Sequence, residues 1–306
     1  MFMVVHVVRG KKSGPNLFVS AAMHGDELNG IEVVRRLLKH KTLRRVRGTL
    51  IAIPIVNAYG VLNHSRYLPD RRDLNRSFPG TDTGSLTARI ADLFMKEIVS
   101  NTTHGIDLHT GALHRTNLPH IRADLDNEET LRLAKAFGVP VLLHSKIRDG
   151  SLREAVSAQG MPMLLYEAGE ALRFDETAIR VGVHGVINVM RALGMLPPVR
   201  RKRPLPEPYA SRSSHWVRAP RSGVITDIRP LGSHISIGET IAFVNDPYGE
   251  APATPIAAEL GGVVIGRTHL PLVNEGDAII HVARFKDAEV VAEQVDQFQA
   301  ESGPHL

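Results

Sequence analysis

The chain has no cysteine among its 306 residues. That absence excludes a disulfide-stapled secreted scaffold, every thiolate metal site and every cysteine nucleophile. Any metal must therefore be held by His, Asp or Glu. Long hydrophobic runs are missing as well. The longest candidates, such as Leu50 to Val56, are strand-sized and interrupted by Pro54, far short of the roughly 20 apolar residues that span a bilayer. The first ten residues are apolar at Val4, Val5, Val7 and Val8, yet they lack the basic leader and small-residue cleavage site of a signal peptide. They read as a first strand, and the expectation is a cytoplasmic protein with no membrane partner.

What is present describes an ordinary folded protein of about two domains. A hydrophobic fraction of 43% beside 23% charged residues excludes disorder as the main state. At this length folding removes roughly three quarters of the unfolded surface from water. The formal charge of +5 and pI near 9.6 raise the question of nucleic acid, because clustered Lys and Arg release counterions from phosphates. The basic residues are dispersed, however: Arg35, Arg36, Arg44, Arg45 and Arg47 flank one predicted helix, Arg71, Arg72 and Arg76 sit in a loop, and Arg200 to Arg203 form a short run. No binding motif accompanies them, so they read as solvated faces plus a site for a small anion, and no nucleic-acid partner is expected.

From Val4 to Leu196, short β-branched runs alternate with amphipathic stretches, the pattern of a layered α/β domain. Strands are predicted at Val4 to Val8, Leu17 to Ala22, Thr49 to Val56, Gly105 to Leu108, Val141 to Leu143 and Met163 to Tyr166. Helices are predicted at Glu27 to Lys39, Ser85 to Ser100, Asn127 to Phe137, Ser151 to Ala158 and Asp175 to Leu193, with Ser85 and Ser151 as N-caps. The proline-rich and basic run from Pro197 to Pro208 cannot propagate a helix and reads as a linker, dividing residues 1–198 from 199–306. Beyond it, glycine-punctuated strands around Gly223-Val224-Ile225 and Gly238-Glu239 are echoed at Gly262-Val263-Val264 and Gly276-Asp277, the mark of a small all-β module of two similar halves. This module resembles biotinyl/lipoyl-type half-barrels. Its one lysine after Lys202 is Lys286, far from the hairpin candidate at Asn245 to Gly249, so a carrier role is not expected.

Chemistry gathers at four places. After the strand ending at Ala22 comes Met23-His24-Gly25-Asp26-Glu27, where an imidazole and a carboxylate three residues apart can converge on a divalent cation such as zinc. His109, in Asp107-Leu108-His109-Thr110-Gly111, closes another predicted strand, at the sheet edge where ligands bind. Two His and one Glu leave a position for water, the composition of a catalytic rather than a structural zinc site. Asp107 is placed to orient a ligand; its rival reading is a strand-end acid. His64, His104, His114, His120 and His144 lack such context. The loop Arg66 to Gly80 is dense in arginine, and its Asn75 and Arg76 suit an anionic substrate end. Glu167, closing the apolar run Leu164-Leu165-Tyr166, is a proton carrier for water attack if burial lifts its pKa; Glu170 lies past the turn and is the lesser candidate.

Taken in order, His24-Gly-Asp-Glu27, Asp73-Leu-Asn75-Arg76, Asp107-Leu-His109-Thr-Gly and Glu167 resemble the succinylglutamate desuccinylase/aspartoacylase family of zinc carboxypeptidase-like fold. The resemblance implies a three-layer α/β/α sandwich with a mixed sheet, followed by the small β domain. It implies one zinc on His24, Glu27 and His109, and Glu167 as general base and acid. It further implies a substrate carboxylate held by Asn75 and Arg76, and Arg66 at the scissile carbonyl, with Arg72 able to fill the same space. The activity expected is zinc-dependent hydrolysis of a small anionic N-acyl amino acid. The alternatives are a zinc carboxypeptidase, a non-catalytic binding protein on the same fold and an oligonucleotide binder. Oligomeric state is open, a homo-oligomer included.

Overall fold

The computed structural model describes residues 2–145, 149–199 and 206–302. In chain order its first part contains β1 (His6–Arg9), β2 (Lys12–Ala21), α1 (Asn29–Lys39), β3 (Arg47–Ile53), α2 (Ala58–Leu62), α3 (Leu86–Glu97), β4 (His104–Gly111), β5 (Arg115–Ala123), α4 (Glu128–Phe137), β6 (Val141–His144), α5 (Leu152–Ser157), β7 (Met163–Glu170) and α6 (Glu176–Ala192). The second part contains β8 (Tyr209–Ser211), β9 (Ser214–Arg218), β10 (Gly223–Thr226), β11 (His234–Ile235), β12 (Thr240–Asn245), β13 (Thr254–Ala257), β14 (Gly262–Thr268), β15 (Leu272–Val273), β16 (Ala278–Ala283) and α7 (Ala288–Ser302). Residues Arg200 to Leu205 of the expected linker lie outside the described residues.

Strand β2 shows why the sheet is covered on both faces. Leu17, Val19 and Ala21 pack with Val33 and Leu37 of α1, Phe137 of α4 and Val186 and Met190 of α6. Phe18, pointing the other way by the two-residue period of a strand, packs with Phe94 of α3 and Leu152 of α5. Two apolar clusters on opposite faces make the three-layer sandwich. The sheet is mixed: β3, β2, β4 and β7 run parallel to one another, whereas β1 pairs antiparallel with β3 and β5 antiparallel with β7. Both predicted caps are formed, Ser85 Oγ accepting from Ala88 N at 3.2 Å and Ser151 Oγ from Glu154 N at 3.2 Å.

Three local features differ from expectation. The first helix begins at Asn29 rather than Glu27, and His24 to Leu28 form a tight turn closed by Glu27 N to His24 O at 3.2 Å. The turn lies against the chain at Gly60, so close that a Cβ on Gly25 would stand 1.8 Å from the Gly60 carbonyl carbon. Strand β5 is not among the predicted strands, and it contains Pro119, a residue that a central strand rarely holds. Helix α7 was not expected either; its Val291, Ala292 and Val295 pack on Val263 and Ile265.

The C-terminal strands do not stand apart from this sheet. β14 pairs antiparallel with β5, and β8 pairs with β6, so one twelve-stranded sheet runs through both parts of the chain, beside a four-stranded sheet in the order β13-β12-β10-β15. The two halves of the echo interlock. Gly238 N donates to Ala258 O before β14, and Gly276 N donates to Ala219 O before β10. Both glycines have positive φ, a turn conformation costly for other residues.

Candidate metal centre and active-site cavity

The parallel strands deliver the site. β2 and β4 run side by side, as do β4 and β7, and His109 is the register partner of Glu167. The turn after β2 therefore carries His24 and Glu27 to the strand ends where β4 presents His109 and β7 presents Glu167.

His24, Glu27 and His109 are buried, and one ligand atom from each lies within 4.8 Å of the others. Each oxygen of Glu27 faces an imidazole: Oε1 is 2.7 Å from His24 Nδ1 and Oε2 is 2.7 Å from His109 Nδ1. The opposite ring nitrogens meet second carboxylates, His24 Nε2 at 3.1 Å from Asp73 and His109 Nε2 at 2.8 Å from Asp107. Asp107 is itself fixed by Ser20 Oγ at 2.7 Å. An Nε2–H donated to a carboxylate turns the Nδ1 lone pair inward, as in carboxylate–histidine–metal triads.

The electrostatics ask for added positive charge. Glu27, Asp73 and Asp107 surround two imidazoles and one guanidinium, that of Arg66. Burial alone would push the histidine rings down, but Glu27 and Asp73 raise His24, while Asp107 and Glu27 raise His109 well above its usual range. Burial likewise opposes charge on Glu27, yet the two rings hold its carboxyl well below the carboxylate range. The carboxylates that favour positive charge on the rings would favour a divalent cation between them as well, so the donor set fits such an ion. A second cluster, Asp124, Asp126 and His144, is more exposed. There Arg212 already pairs with Asp126 at 2.8 Å, and Leu125 N donates to His144 Nδ1.

These residues open onto a cavity of about 400 Å³ lined also by Arg66, Asn75, Arg76 and Glu167. Arg66 donates to Asp73 through Nε at 3.1 Å and Nη2 at 2.9 Å, with Nη1 3.4 Å from Glu27. Asn75 is fixed by accepting from Leu152 N, the start of α5, at 2.9 Å. Arg76 lines the cavity and donates to the Asn75 carbonyl. Arg72 does not reach it: the residue is exposed, and its carbonyl closes a turn with Leu68 N at 3.1 Å. The expectation that Arg72 shares the Arg66 position is corrected on that ground. Glu170 is engaged elsewhere, with His269 at 2.9 Å.

Glu167 has a different environment from Glu27 of the candidate metal cluster. Burial raises its pKa, opposed by Arg122 and His109. Asn117 Nδ2 donates to its Oε2 at 2.8 Å, while Oε1 lies 4.0 Å from Arg122 Nε. Sequence reasoning missed Asn117 and Arg122 because both belong to β5. It also missed Trp216 and Arg218 of β9, which line the cavity beside Arg115, whose guanidinium lies 5.2 Å from the Trp216 ring. No local pattern marks a residue whose role depends on a distant strand pairing.

An α/β/α sandwich with a buried two-histidine, one-glutamate cluster at its strand ends is the architecture of zinc carboxypeptidase-like proteins. Within it the chain belongs to the succinylglutamate desuccinylase/aspartoacylase family, whose catalytic-domain model matches residues 13–193. It is 29% identical over 295 residues to an N-alpha-acetyl-L-2,4-diaminobutyric acid deacetylase from Halomonas elongata, covering 92% of this chain and 85% of that protein. Among solved structures it is similar to a succinylglutamate desuccinylase/aspartoacylase from Rhodobacter sphaeroides, with a TM-score of 0.83, 24% identity, and 92% and 89% of the two chains covered. The product-bound ectoine utilization protein EutE (DoeB) from Ruegeria pomeroyi gives the same TM-score of 0.83, at 25% identity over 92% and 88%. Among the described residues no helix is long and apolar enough to cross a membrane.

Proposed function

We propose that the protein is a zinc-dependent deacylase that hydrolyses the amide bond of an N-acyl amino acid. The observation that carries this reading is the convergence of His24, Glu27 and His109 beside a half-buried Glu167 in one arginine-rich cavity. His24, Glu27 and His109 would hold a zinc ion, which would supply Lewis acidity toward the carbonyl and would bring the pKa of water to about 7. Glu167 accepts the proton of the attacking water on Oε1, the oxygen that Asn117 does not engage, and returns it to the leaving amine nitrogen. Arg66 meets the negative charge that develops on the carbonyl oxygen. Asn75 and Arg76 hold the substrate carboxylate.

The alternative, a carboxypeptidase, requires room for a peptide. Trp216, Arg218 and Ala278 of the C-terminal region form part of the cavity wall, which favours a small substrate. The relative named for N-alpha-acetyl-diaminobutyrate points to N-acetyl amino acids as the first class to test. The test is metal content together with turnover of a panel of N-acetyl and N-succinyl amino acids, for the wild type and His109→Ala. Near-stoichiometric zinc and hydrolysis, both lost in the variant, are expected. Wild-type protein that binds no metal when zinc is supplied would overturn the proposal.

A further inference from the structure

Strand β5 carries one residue too many for its partner. Asn117 pairs with Gly169 of β7, whereas His120, three residues on, pairs with Glu167, only two residues back. The extra residue makes a β-bulge, and it accommodates Pro119, which has no N–H to donate to the ladder. The bulge also shifts the in-out alternation by one, so Asn117 before it and Arg122 after it both line the cavity. The amide of Asn117 thereby reaches Glu167 Oε2, at 2.8 Å.

On the opposite edge of β5, Asn117 faces Gly266 of β14. The backbone there does not demand glycine, since Gly266 is not among the positive-φ residues. Space does. A Cβ at Gly266 would stand 2.8 Å from Asn117 Oδ1, while the next nearest atom, His281 Cβ, is at 3.3 Å. A side chain at 266 would therefore push on one atom above all, the far end of the amide whose other end holds Glu167.

We propose that Asn117 is a positioning residue for Glu167, and that Gly266, in the C-terminal region, keeps open the notch in which the Asn117 amide sits. The proposal rests on the reading of Glu167 as the proton carrier. A neutral amide on Oε2 fixes the plane of the carboxylate without neutralising it, and turns Oε1 to the proton-exchanging position. The C-terminal region thus acts on the chemistry without touching substrate at this point.

The test is a double-mutant cycle of Asn117→Ala and Gly266→Ala in the full-length, metal-loaded protein, measured on the best-hydrolysed N-acyl amino acid. Asn117→Ala is expected to lower kcat on the order of 100-fold, as misplacement of a reacting group by an ångström does, with KM, metal content and Tm unchanged. Gly266→Ala is expected to lower kcat about tenfold in the wild-type background, and to have no further effect once Asn117 is Ala. A Gly266→Ala enzyme with wild-type kcat, or one that loses as much in both backgrounds, overturns the proposal. A crystal structure of Gly266→Ala is read independently of substrate. An Asn117 amide displaced from Glu167 supports the proposal, and an undisturbed one overturns it even if no N-acyl amino acid is turned over, a result that would fall on the proposed function instead.

Discussion

At the residue scale, the same side-chain type meets opposite surroundings in neighbouring positions. Glu27 is buried between two imidazoles that hold its carboxyl well below the carboxylate range, whereas Glu167 is half-buried beside an asparagine amide, and loss of hydration raises its pKa. Environment, not residue type, sets the opposite shifts of the two carboxyls and, in the proposed mechanism, separates ligand from proton carrier. Replacing Glu167 by Gln keeps the shape and removes the titrating group. Metal content is expected to stay at the wild-type level while kcat falls by about 10² to 10⁴. Elemental analysis beside a steady-state assay checks this, and a Gln variant of near-normal kcat would remove Glu167 from the mechanism.

At the element scale, β5 concentrates the unusual features. Its His120 is fully buried, with Nδ1 bonded to Leu118 O at 2.7 Å and Nε2 accepting from Arg122 at 3.4 Å. Burial, then the neighbouring Arg122, push the ring down to about 3, against the pull of the Leu118 carbonyl. The folded protein therefore keeps this histidine neutral, while the unfolded chain takes up a proton near pH 6.5. Between those values the unfolded state binds more protons, so the stability present above pH 6.5 is lost as the pH falls toward 3, by up to about 1.4 kcal/mol per pH unit. Urea unfolding at pH 7 and pH 5 is expected to show a smaller difference for His120→Leu than for the wild type. Equal pH dependence in the two proteins would assign the acid sensitivity elsewhere.

At the scale of the whole molecule, the C-terminal region is structurally continuous with the site. β14 covers the edge of β5, and Val263, Ile265, Val291 and Val295 bury Leu118, Val141 and Leu143 of the first part. Ending the chain at Pro198 would expose that apolar surface and a long hydrogen-bonding edge at once, the conditions for edge-to-edge aggregation. Such a truncated chain is expected to be insoluble or to lack a cooperative melt. A soluble, cooperatively folding 1–198 fragment would mean that the sheet closes without β14.

The amino-acid sequence by itself determined the covered strands, the capped helices and the residues of the candidate metal cluster. His24, Glu27, His109 and Glu167 were legible because each sits at the end of an apolar strand run, where local periodicity already says which way the chain points. Ser85 and Ser151 were legible for a similar reason: a cap is a contact between residues three apart. Only the tertiary structure decided that β5 is a strand despite Pro119, because the bulge that accommodates it exists only against β7. It also decided that Arg72 faces solvent while Arg66 turns to Asp73, and that Trp216, Arg218 and Gly266 belong to the cavity and its support. Those outcomes depend on pairings such as β5 with β14, between residues about 150 apart in the chain. Such pairings are set by which apolar faces and backbone edges find each other on folding, a choice that no short stretch of sequence records.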